Sequence, residues 1–98
     1  MRFVVIARDA KDSDALSRRL KHREEHLKVG KEQAERDERL VGGPILNENG
    51  EMCGSVIVAD FPDRGALDDW LKTEPYVTGH VWDDIEVLRC DAKLKEDR

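Results

Sequence analysis

The middle of the chain contains two strand-like segments joined by a tight turn, and this hairpin constrains the fold more than any other local feature. Asn49-Gly50 is the strongest two-residue hairpin signal in the sequence. Residues 40–46 before the turn and residues 54–59 after it are rich in branched apolar side chains, which is typical of strands. We therefore expect two antiparallel neighbours. Pro44 has no backbone N–H to donate, so its strand is expected to lie at a sheet edge or to carry a bulge.

A strand and a long helix are predicted before this hairpin. Residues 2–8 form a short apolar run with β-branched residues, and the region from about Asp12 to Arg39 has helical periodicity. The apolar positions of the helix recur in steps of three and four, and the expected inner stripe consists of Leu16, Leu20, position 23, Leu27, Gly30 and Ala34. Position 23 is arginine, and His26 lies at the edge of the stripe. Because a buried arginine needs a partner and a histidine titrates near neutral pH, the inner face of this helix is a candidate site.

A second helix is expected to begin at Pro62-Asp63-Arg64 and to end before Pro75, because the residue preceding a proline disfavours the helical conformation. Residues 85–89 alternate between apolar and polar side chains, which predicts a fourth strand. The order β-α-β-β-α-β predicts a ferredoxin-like α+β fold, an antiparallel sheet with two helices on one face. No further segment is left to cover the other face. We therefore expect two copies to pair there as a homodimer, which would form a dimeric α/β barrel.

Length and composition limit the class of protein. The chain has 98 residues, and we expect one domain over 1–98 whose charged tail, residues 91–98, is frayed. Its net charge is −5 and its basic residues are interleaved with acids, so no positive stripe for nucleic acid is visible. No apolar run approaches the roughly 20 residues that span a bilayer, and we expect no membrane association and no signal peptide before the first strand. Cys53 and Cys90 lie outside any metal or redox spacing, so they are expected to be reduced thiols in the cytoplasm.

Four local patterns accompany this order of elements: Arg23-x-x-His26-Leu27, Gly43-Pro44, Gly54-Ser55 and Glu74-Pro75-Tyr76. With these patterns in this order, the chain from Phe3 to about Arg89 resembles the YCII-related (YciI-like) family of small dimeric α/β-barrel proteins. The resemblance implies a histidine and a carboxylate that line a cleft near the dimer interface. In this chain they are His26 and Glu74, where the family usually has an aspartate. The family's usual glycine at the end of the first helix is replaced by Asp37.

A histidine within hydrogen-bond reach of a carboxylate is a minimal unit for proton transfer, because the carboxylate fixes the tautomer and stabilises the imidazolium. His26 and Glu74 are therefore the candidate catalytic residues. Arg23, one helical turn before His26, is expected to hold an anionic substrate oxygen, and Tyr76 and Ser55 are expected to donate hydroxyl hydrogen bonds. Such a set suits isomerisation, elimination or lactone chemistry on a small, oxygenated, anionic compound. The other motif residues are interpreted as residues that shape the backbone: Gly43, Pro44, Gly54 and Pro75.

Three functions remain open on the sequence alone. The first is a cofactor-independent lyase or isomerase that acts on a small molecule through the histidine and the carboxylate. The second is a non-catalytic protein that binds a small ligand or has an accessory role, and the third is a protein-interaction subunit. A structural alternative for the site is that Arg23 pairs with Glu74 or Asp69 to bridge the two helices, with His26 as a satisfied interface histidine.

A metal site is also considered, because His22 and His26 formally match the H-x-x-E-H pattern of zinc peptidases. That chemistry needs a third protein ligand and a much longer chain, so no metal is expected. The sequence contains no Rossmann, P-loop or haem fingerprint, and no cofactor is expected.

Overall fold

The computed structural model describes residues 1–97 and contains the expected order of strands and helices. The elements, in chain order, are β1 (Arg2–Asp9), α1 (Ala15–Glu35), β2 (Arg39–Leu46), β3 (Met52–Asp60), α2 (Arg64–Thr73), the one-turn helix α3 (Pro75–Thr78), β4 (Trp82–Cys90) and a 3-10 turn at Lys95–Asp97. The expectation of a frayed tail over residues 91–98 falls partly on position 98, which lies outside the described residues. None of the helices within residues 1–97 is long and apolar enough to cross a membrane.

The four strands form one antiparallel sheet in the order β2-β3-β1-β4. The predicted hairpin joins β2 to β3. Its turn is held by the Asn47 side chain, which accepts hydrogen bonds from the backbone N–H groups of Asn49 and Glu51, and Gly50 adopts a φ of 78°. Pro44 lies in the edge strand β2, as its missing N–H requires. The ferredoxin-like α+β prediction is confirmed.

The core lies between the sheet and the helices. It contains alternate residues of β1 and β3 together with side chains from the later elements: Phe3, Val5, Ala7, Ile57, Ala59, Phe61, Leu67, Tyr76, Val81 and Trp82. Alternation follows from the pleat, which turns successive side chains to opposite faces of the sheet. The helix-covered face is therefore apolar in β1 and β3, and the site described below lies where α1 and α3 approach it.

The buried face of α1 differs from the predicted stripe. The buried residues are Ala15, Arg19, His26, Gly30 and Gln33. Leu20 and Leu27 are 55% and 47% exposed, and Arg23 and Ala34 are also exposed, so the predicted burial of these four residues is wrong. Gly30 is buried as predicted. A shift of one residue rotates the helix face by about 100°. The leucines therefore lie on an outer face of α1, and the buried face next to it contains an arginine and a glutamine, Arg19 and Gln33.

The ends of the helices show how local residues position the site. Asp37, which follows α1, adopts a left-handed φ of 60°, a conformation that aspartate tolerates better than most residues. Asp63 caps α2 by accepting a hydrogen bond from the Ala66 backbone N–H at 2.9 Å. As predicted, α2 ends before Pro75. The sequence did not reveal α3, which Pro75 begins.

Candidate active site

His26 and Glu74 form a buried hydrogen bond between α1 and the junction of α2 with α3. The imidazole Nδ1 contacts Glu74 Oε1, and the two residues are 7% and 1% exposed. Glu74 is also the N-cap of α3, because its other carboxylate oxygen, Oε2, accepts a hydrogen bond from the Tyr76 backbone N–H at 2.6 Å. Both carboxylate oxygens are therefore engaged. With Nδ1 donating its proton to Glu74, the neutral imidazole has its lone pair on Nε2.

Two aromatic rings hold the imidazole in place. The His26 ring stacks on Tyr76 with centroids 3.8 Å apart and an interplanar angle of 11°. The Trp82 ring meets it edge-on at 5.9 Å. Trp82 itself is buried in the core beside the site. Packing on one face and one edge restricts the rotation of the histidine, which favours a single orientation for proton transfer.

A second buried cluster lies beside the first and contains a paired arginine. Arg19 Nη1 donates to Asp9 Oδ1 at 2.8 Å, and Nη2 donates to Ser55 Oγ at 2.8 Å. The guanidinium carbon lies 4.7 Å from the centroid of the Tyr76 ring, a cation–π distance. Burial raises the pKa of the Asp9 carboxyl, and the charge of Arg19 opposes that shift. The helix pattern predicted a buried, paired arginine at position 23, which is wrong. The arginine that is buried and paired is Arg19, one turn earlier.

Arg23 takes neither of the two partners considered for it. Within residues 1–97 it forms no ion pair, since Glu74 is occupied by His26 and Asp69 lies 3.8 Å from Lys72. The alternative in which Arg23 bridges the helices through Glu74 or Asp69 is therefore wrong. Its exposed side chain instead lines a cleft that also contains His26.

The cleft opens between α1 and the β2–β3 edge of the sheet and contains about 40 Å³ of free space. His26, Tyr76 and Ser55 line it together with three arginines, Arg19, Arg23 and Arg39. Apolar side chains complete the wall: Leu27, Pro44, Met52 and Ile57. Apolar walls with a few convergent polar groups are the kind of lining that small-molecule sites have.

The motif glycines and prolines have different positions around this cleft. Gly43 and Pro44 line it directly. Gly54 lies where β1 approaches closely, because a Cβ there would be 2.4 Å from the Ala7 carbonyl oxygen. Pro75 begins α3, where a missing N–H costs no hydrogen bond. Pro75 therefore helps to place Glu74 and Tyr76 on either side of the turn.

The model of the YCII-related domain matches residues 1–91. The chain belongs to the YCII-related domain family. It is 33% identical over 93 residues to an uncharacterised protein of Haemophilus influenzae and 30% identical over 93 residues to the protein YciI of Escherichia coli; each alignment covers 89% of this chain and 93% of the relative. It is also 31% identical over 78 residues to a xenovulene A biosynthesis cluster protein of Sarocladium schorii, covering 71% of this chain and 67% of that protein.

Two solved structures resemble the fold of this YCII-related chain. The first is 5-chloro-2-hydroxyhydroquinone dehydrochlorinase from Burkholderia phenoliruptrix in complex with 2,5-dihydroxybenzoquinone, with a TM-score of 0.82, 18% identity and coverage of 95% of this chain and 96% of that one. The second is an antibiotic biosynthesis monooxygenase, with a TM-score of 0.55, 22% identity and coverage of 94% and 99%. At these identities the likeness concerns the fold alone.

Burial keeps the Tyr76 hydroxyl protonated and available as a donor. Burial raises the pKa of Tyr76, an effect that the charges of Arg19 and Arg23 oppose. A phenol with a raised pKa is protonated at neutral pH, so it can donate a hydrogen bond. Ser55 lines the same cleft but is 2% exposed, and its oxygen already accepts from Arg19. A hydroxyl that accepts one hydrogen bond still has its own proton to donate.

Sequence reasoning missed two arginines of the site, Arg19 and Arg39. The pattern does not reveal Arg19, because apolar residues ordinarily mark the buried face of a helix. Arg39 was placed at the end of the predicted helix, but it begins β2 and reaches the cleft from the sheet. The available signal for Arg39 was Gly30, a glycine in the interior of a helix, which often marks a close approach by another group.

Proposed function

We propose that this chain is a small-molecule enzyme of the lyase or isomerase type, in which His26 takes and returns a proton while Glu74 holds its imidazole. The observation that carries the proposal is the buried hydrogen bond between His26 and Glu74 in the wall of an open cleft. A histidine oriented in this way is a general base, because the carboxylate stabilises the imidazolium that forms when the proton is taken.

The proposed reaction begins with removal of a proton by Nε2 of His26. The electron pair left on the substrate forms an enolate or a related oxyanion, which the Tyr76 hydroxyl stabilises by donating a hydrogen bond. Returning the proton to another atom of the substrate gives isomerisation. In elimination the electron pair expels the leaving group, and His26 passes its proton to that group or to water. The reaction balances without a cofactor, since the only species moved are a proton and, in elimination, the leaving group.

The solved dehydrochlorinase supports the elimination form of the proposal. That protein, which shares the fold at a TM-score of 0.82, is named for loss of hydrogen chloride from a chlorinated hydroxyhydroquinone and was solved with a dihydroxybenzoquinone. Both compounds are small, oxygenated rings with acidic hydroxyls. We therefore expect the substrate of this chain to be a small, oxygenated, anionic molecule.

We further propose that the chain works as a homodimer formed by the open face of the sheet, giving a dimeric α/β barrel. Val56 and Leu88 are 38% and 47% exposed and are joined on this face by Val4, Ile6 and Val58, which follows from their pairing register. A contiguous apolar surface of this kind is stabilised when another surface removes it from water. The edge strand β2 borders this face and also lines the cleft through Gly43, so the cleft would lie close to the interface.

The test is a turnover screen of the purified protein. Chlorinated and unchlorinated hydroxyquinones, hydroxy acids and lactones are incubated with the protein in deuterated water, and NMR follows product formation and exchange of substrate protons. We expect turnover or exchange with a member of this panel. His26→Ala should lower kcat/KM by about 100-fold to 10,000-fold, the usual range for a general base. Glu74→Gln should lower it by at least about tenfold, because the imidazolium loses its counter-charge.

His22→Ala is the matched control, because His22 lies one turn earlier on α1 and packs on Gly79, outside the cleft. Its activity should equal that of the unchanged protein. If a compound binds in the cleft and is returned without reaction or exchange, the non-catalytic binding protein is the correct function. If no compound of the panel binds or reacts, the proposal is wrong and a protein-interaction role takes its place.

A further inference from the structure

Arg39 places a guanidinium in the cleft along a path that two glycines leave open. Its side chain crosses α1 at Gly30, where an added Cβ would lie 2.0 Å from Arg39 Nη1. An added Cβ at Gly42 would lie 2.7 Å from Nη2. No larger residue at Gly30 leaves room for this side chain in its present position. The guanidinium therefore lies directly against the backbone of α1, on the side that faces the cleft.

The guanidinium of Arg39 is close to the proposed catalytic pair. Gly30 follows His26 by four residues, so the two lie on the same face of α1, one turn apart and separated by on the order of 6 Å along the helix axis. The Glu74 carboxylate is near enough to act on the pKa of Arg39. Its oxygens are already bonded to His26 and to the Tyr76 backbone, however, and make no ion pair with Arg39.

No counter-ion is assigned to Arg39 in the described part of the chain. Its half-buried guanidinium makes no hydrogen bond and no ion pair within residues 1–97, in contrast to Arg19, which has two side-chain partners. Burial lowers the pKa of Arg39, because desolvation disfavours the charged form, and the charge of Glu74 opposes this shift. An arginine nevertheless keeps its charge in a protein. A partly desolvated cation with free N–H donors is stabilised when an anion accepts hydrogen bonds from them.

We propose that Arg39 binds the anionic oxygen of the substrate, a carboxylate or an acidic enol or phenol, one helical turn along α1 from His26. The inference deepens the proposed function, on which it rests, by naming the substrate class and its anchor. Two parallel N–H groups of a guanidinium match the two oxygens of a carboxylate. Arg23 is exposed at the cleft, so it adds a longer-range attraction that salt screens.

The experiment measures binding of benzoate, a planar carboxylate, and of benzamide, its neutral counterpart of the same shape. Affinities are obtained by NMR titration of the backbone and arginine Nε resonances. We expect benzoate to bind more tightly than benzamide and to shift the Arg39 Nε signal. Arg39→Met should weaken benzoate binding about tenfold to 100-fold, the effect of losing a charged hydrogen bond. Benzamide binding should stay the same.

Gly30→Ala provides a second variant that keeps the charge of Arg39. The added methyl group displaces the guanidinium, while alanine favours the helix more than glycine does, so a folding defect is not expected. This variant should also weaken benzoate binding. Arg64→Met is the matched control, because Arg64 lies on α2, pairs with Asp68 at 2.9 Å and is remote from the cleft.

The outcomes separate this inference from the proposed function. The inference is overturned if Arg39→Met binds benzoate as tightly as the protein without substitutions does. It is also overturned if the protein without substitutions binds benzoate no better than benzamide. His26→Ala should retain benzoate binding, because the anion is held by Arg39. If benzoate binds through Arg39 but no compound is turned over, the anion site stands and the proposed catalytic role of His26 fails.

Discussion

At the scale of single residues, Arg19 shows how this chain accommodates a charge in its interior. The side chain is 2% exposed, and a charge so buried requires close partners. Asp9 supplies the counter-charge at 2.8 Å, Ser55 supplies a second acceptor, and the Tyr76 ring offers its face. Arg19 Nε and Asp9 Oδ2 lack hydrogen-bond partners within residues 1–97. The pair is therefore held by a few specific contacts rather than by full satisfaction of its polar atoms.

This arrangement predicts a large loss of stability when one member of the pair is removed. Arg19→Ala leaves the buried Asp9 carboxylate without its cation, and the free energy of unfolding should fall by about 3–5 kcal/mol. Urea denaturation followed by circular dichroism measures the change. Arg64→Ala, which removes an exposed arginine from its pair with Asp68, should cost no more than about 1 kcal/mol.

The double variant Asp9→Ala with Arg19→Ala gives a further check. Removing both charges should restore part of the stability that Arg19→Ala loses, since no unpaired charge then remains inside. A loss for Arg19→Ala as small as that for Arg64→Ala would contradict the buried-pair interpretation.

At the scale of elements, the start of α1 is attached to the loop before β4 by one arginine. Arg18 forms two hydrogen bonds of 2.7 Å with the carboxylate of Asp12, and its Nε donates to the His80 carbonyl oxygen at 3.2 Å. Asp14, the N-cap of α1, makes no side-chain capping bond. The contact of Arg18 with Asp12 thus orders the β1–α1 connection in place of a conventional cap.

The pKa of Asp12 makes this contact sensitive to acid. The hydrogen bonds from Arg18 lower the pKa of Asp12 from its ordinary 3.8 to about 2. Because the folded-state pKa is the lower one, the unfolded chain binds the proton more readily between these values. The stabilisation is therefore fully present above about pH 4 and is lost as the pH falls through about 2.

Asp12→Asn should remove this pH-dependent stabilisation. At neutral pH the variant should be less stable than the unchanged protein, and the difference should shrink as the pH falls below about 4 and disappear as it falls through about 2. Unfolding free energies measured by urea denaturation across this range give the comparison. The difference should also decrease with added salt, because Asp12 is exposed. A difference that stays constant with pH would show that the contact with Arg18 does not act through the charge of Asp12.

At the scale of the whole molecule, the main feature is the open face of the sheet, which no other element of the described chain covers. Helices cover one face, while Val41, Val56 and Leu88 remain exposed on the other. The register places Val4 beside both Val58 and Leu88. A domain of this size has a thin core, so covering such a surface adds a substantial part of the total stabilisation.

The proposed homodimer is tested by analytical ultracentrifugation across a range of protein concentrations. We expect the unchanged protein to sediment as a dimer. Val56→Lys puts a charge at the centre of the open face and should shift the equilibrium to the monomer. Leu20→Lys is the control, because Leu20 is also apolar and exposed but lies on α1. A monomer at every concentration, or a dimer that Val56→Lys leaves intact, would contradict the proposed interface.

The elements of this fold could be predicted because their signals are local. Asn49-Gly50 supplied a turn, Pro44 indicated an edge strand, and Pro75 ended α2. Each of these signals depends on the backbone of a few adjacent residues, whose preferences hold in almost any context. The one-turn helix α3 was missed for the same reason, since four residues carry no helical periodicity.

By itself, the sequence determined the order of strands and helices, the antiparallel hairpin and the ferredoxin-like class, and the family resemblance indicated which histidine and which carboxylate would meet. Only the tertiary structure decided which line of α1 is buried, that Arg19 rather than Arg23 is the paired interior arginine, and that Arg39 reaches the cleft. The physical reason is the range of the interactions. Arg19 meets Ser55 across 36 positions of sequence and His26 meets Glu74 across 48, so these partners depend on how the whole helix docks on the sheet. A rotation of about 100°, the angle of one residue, exchanges one set of partners for the other.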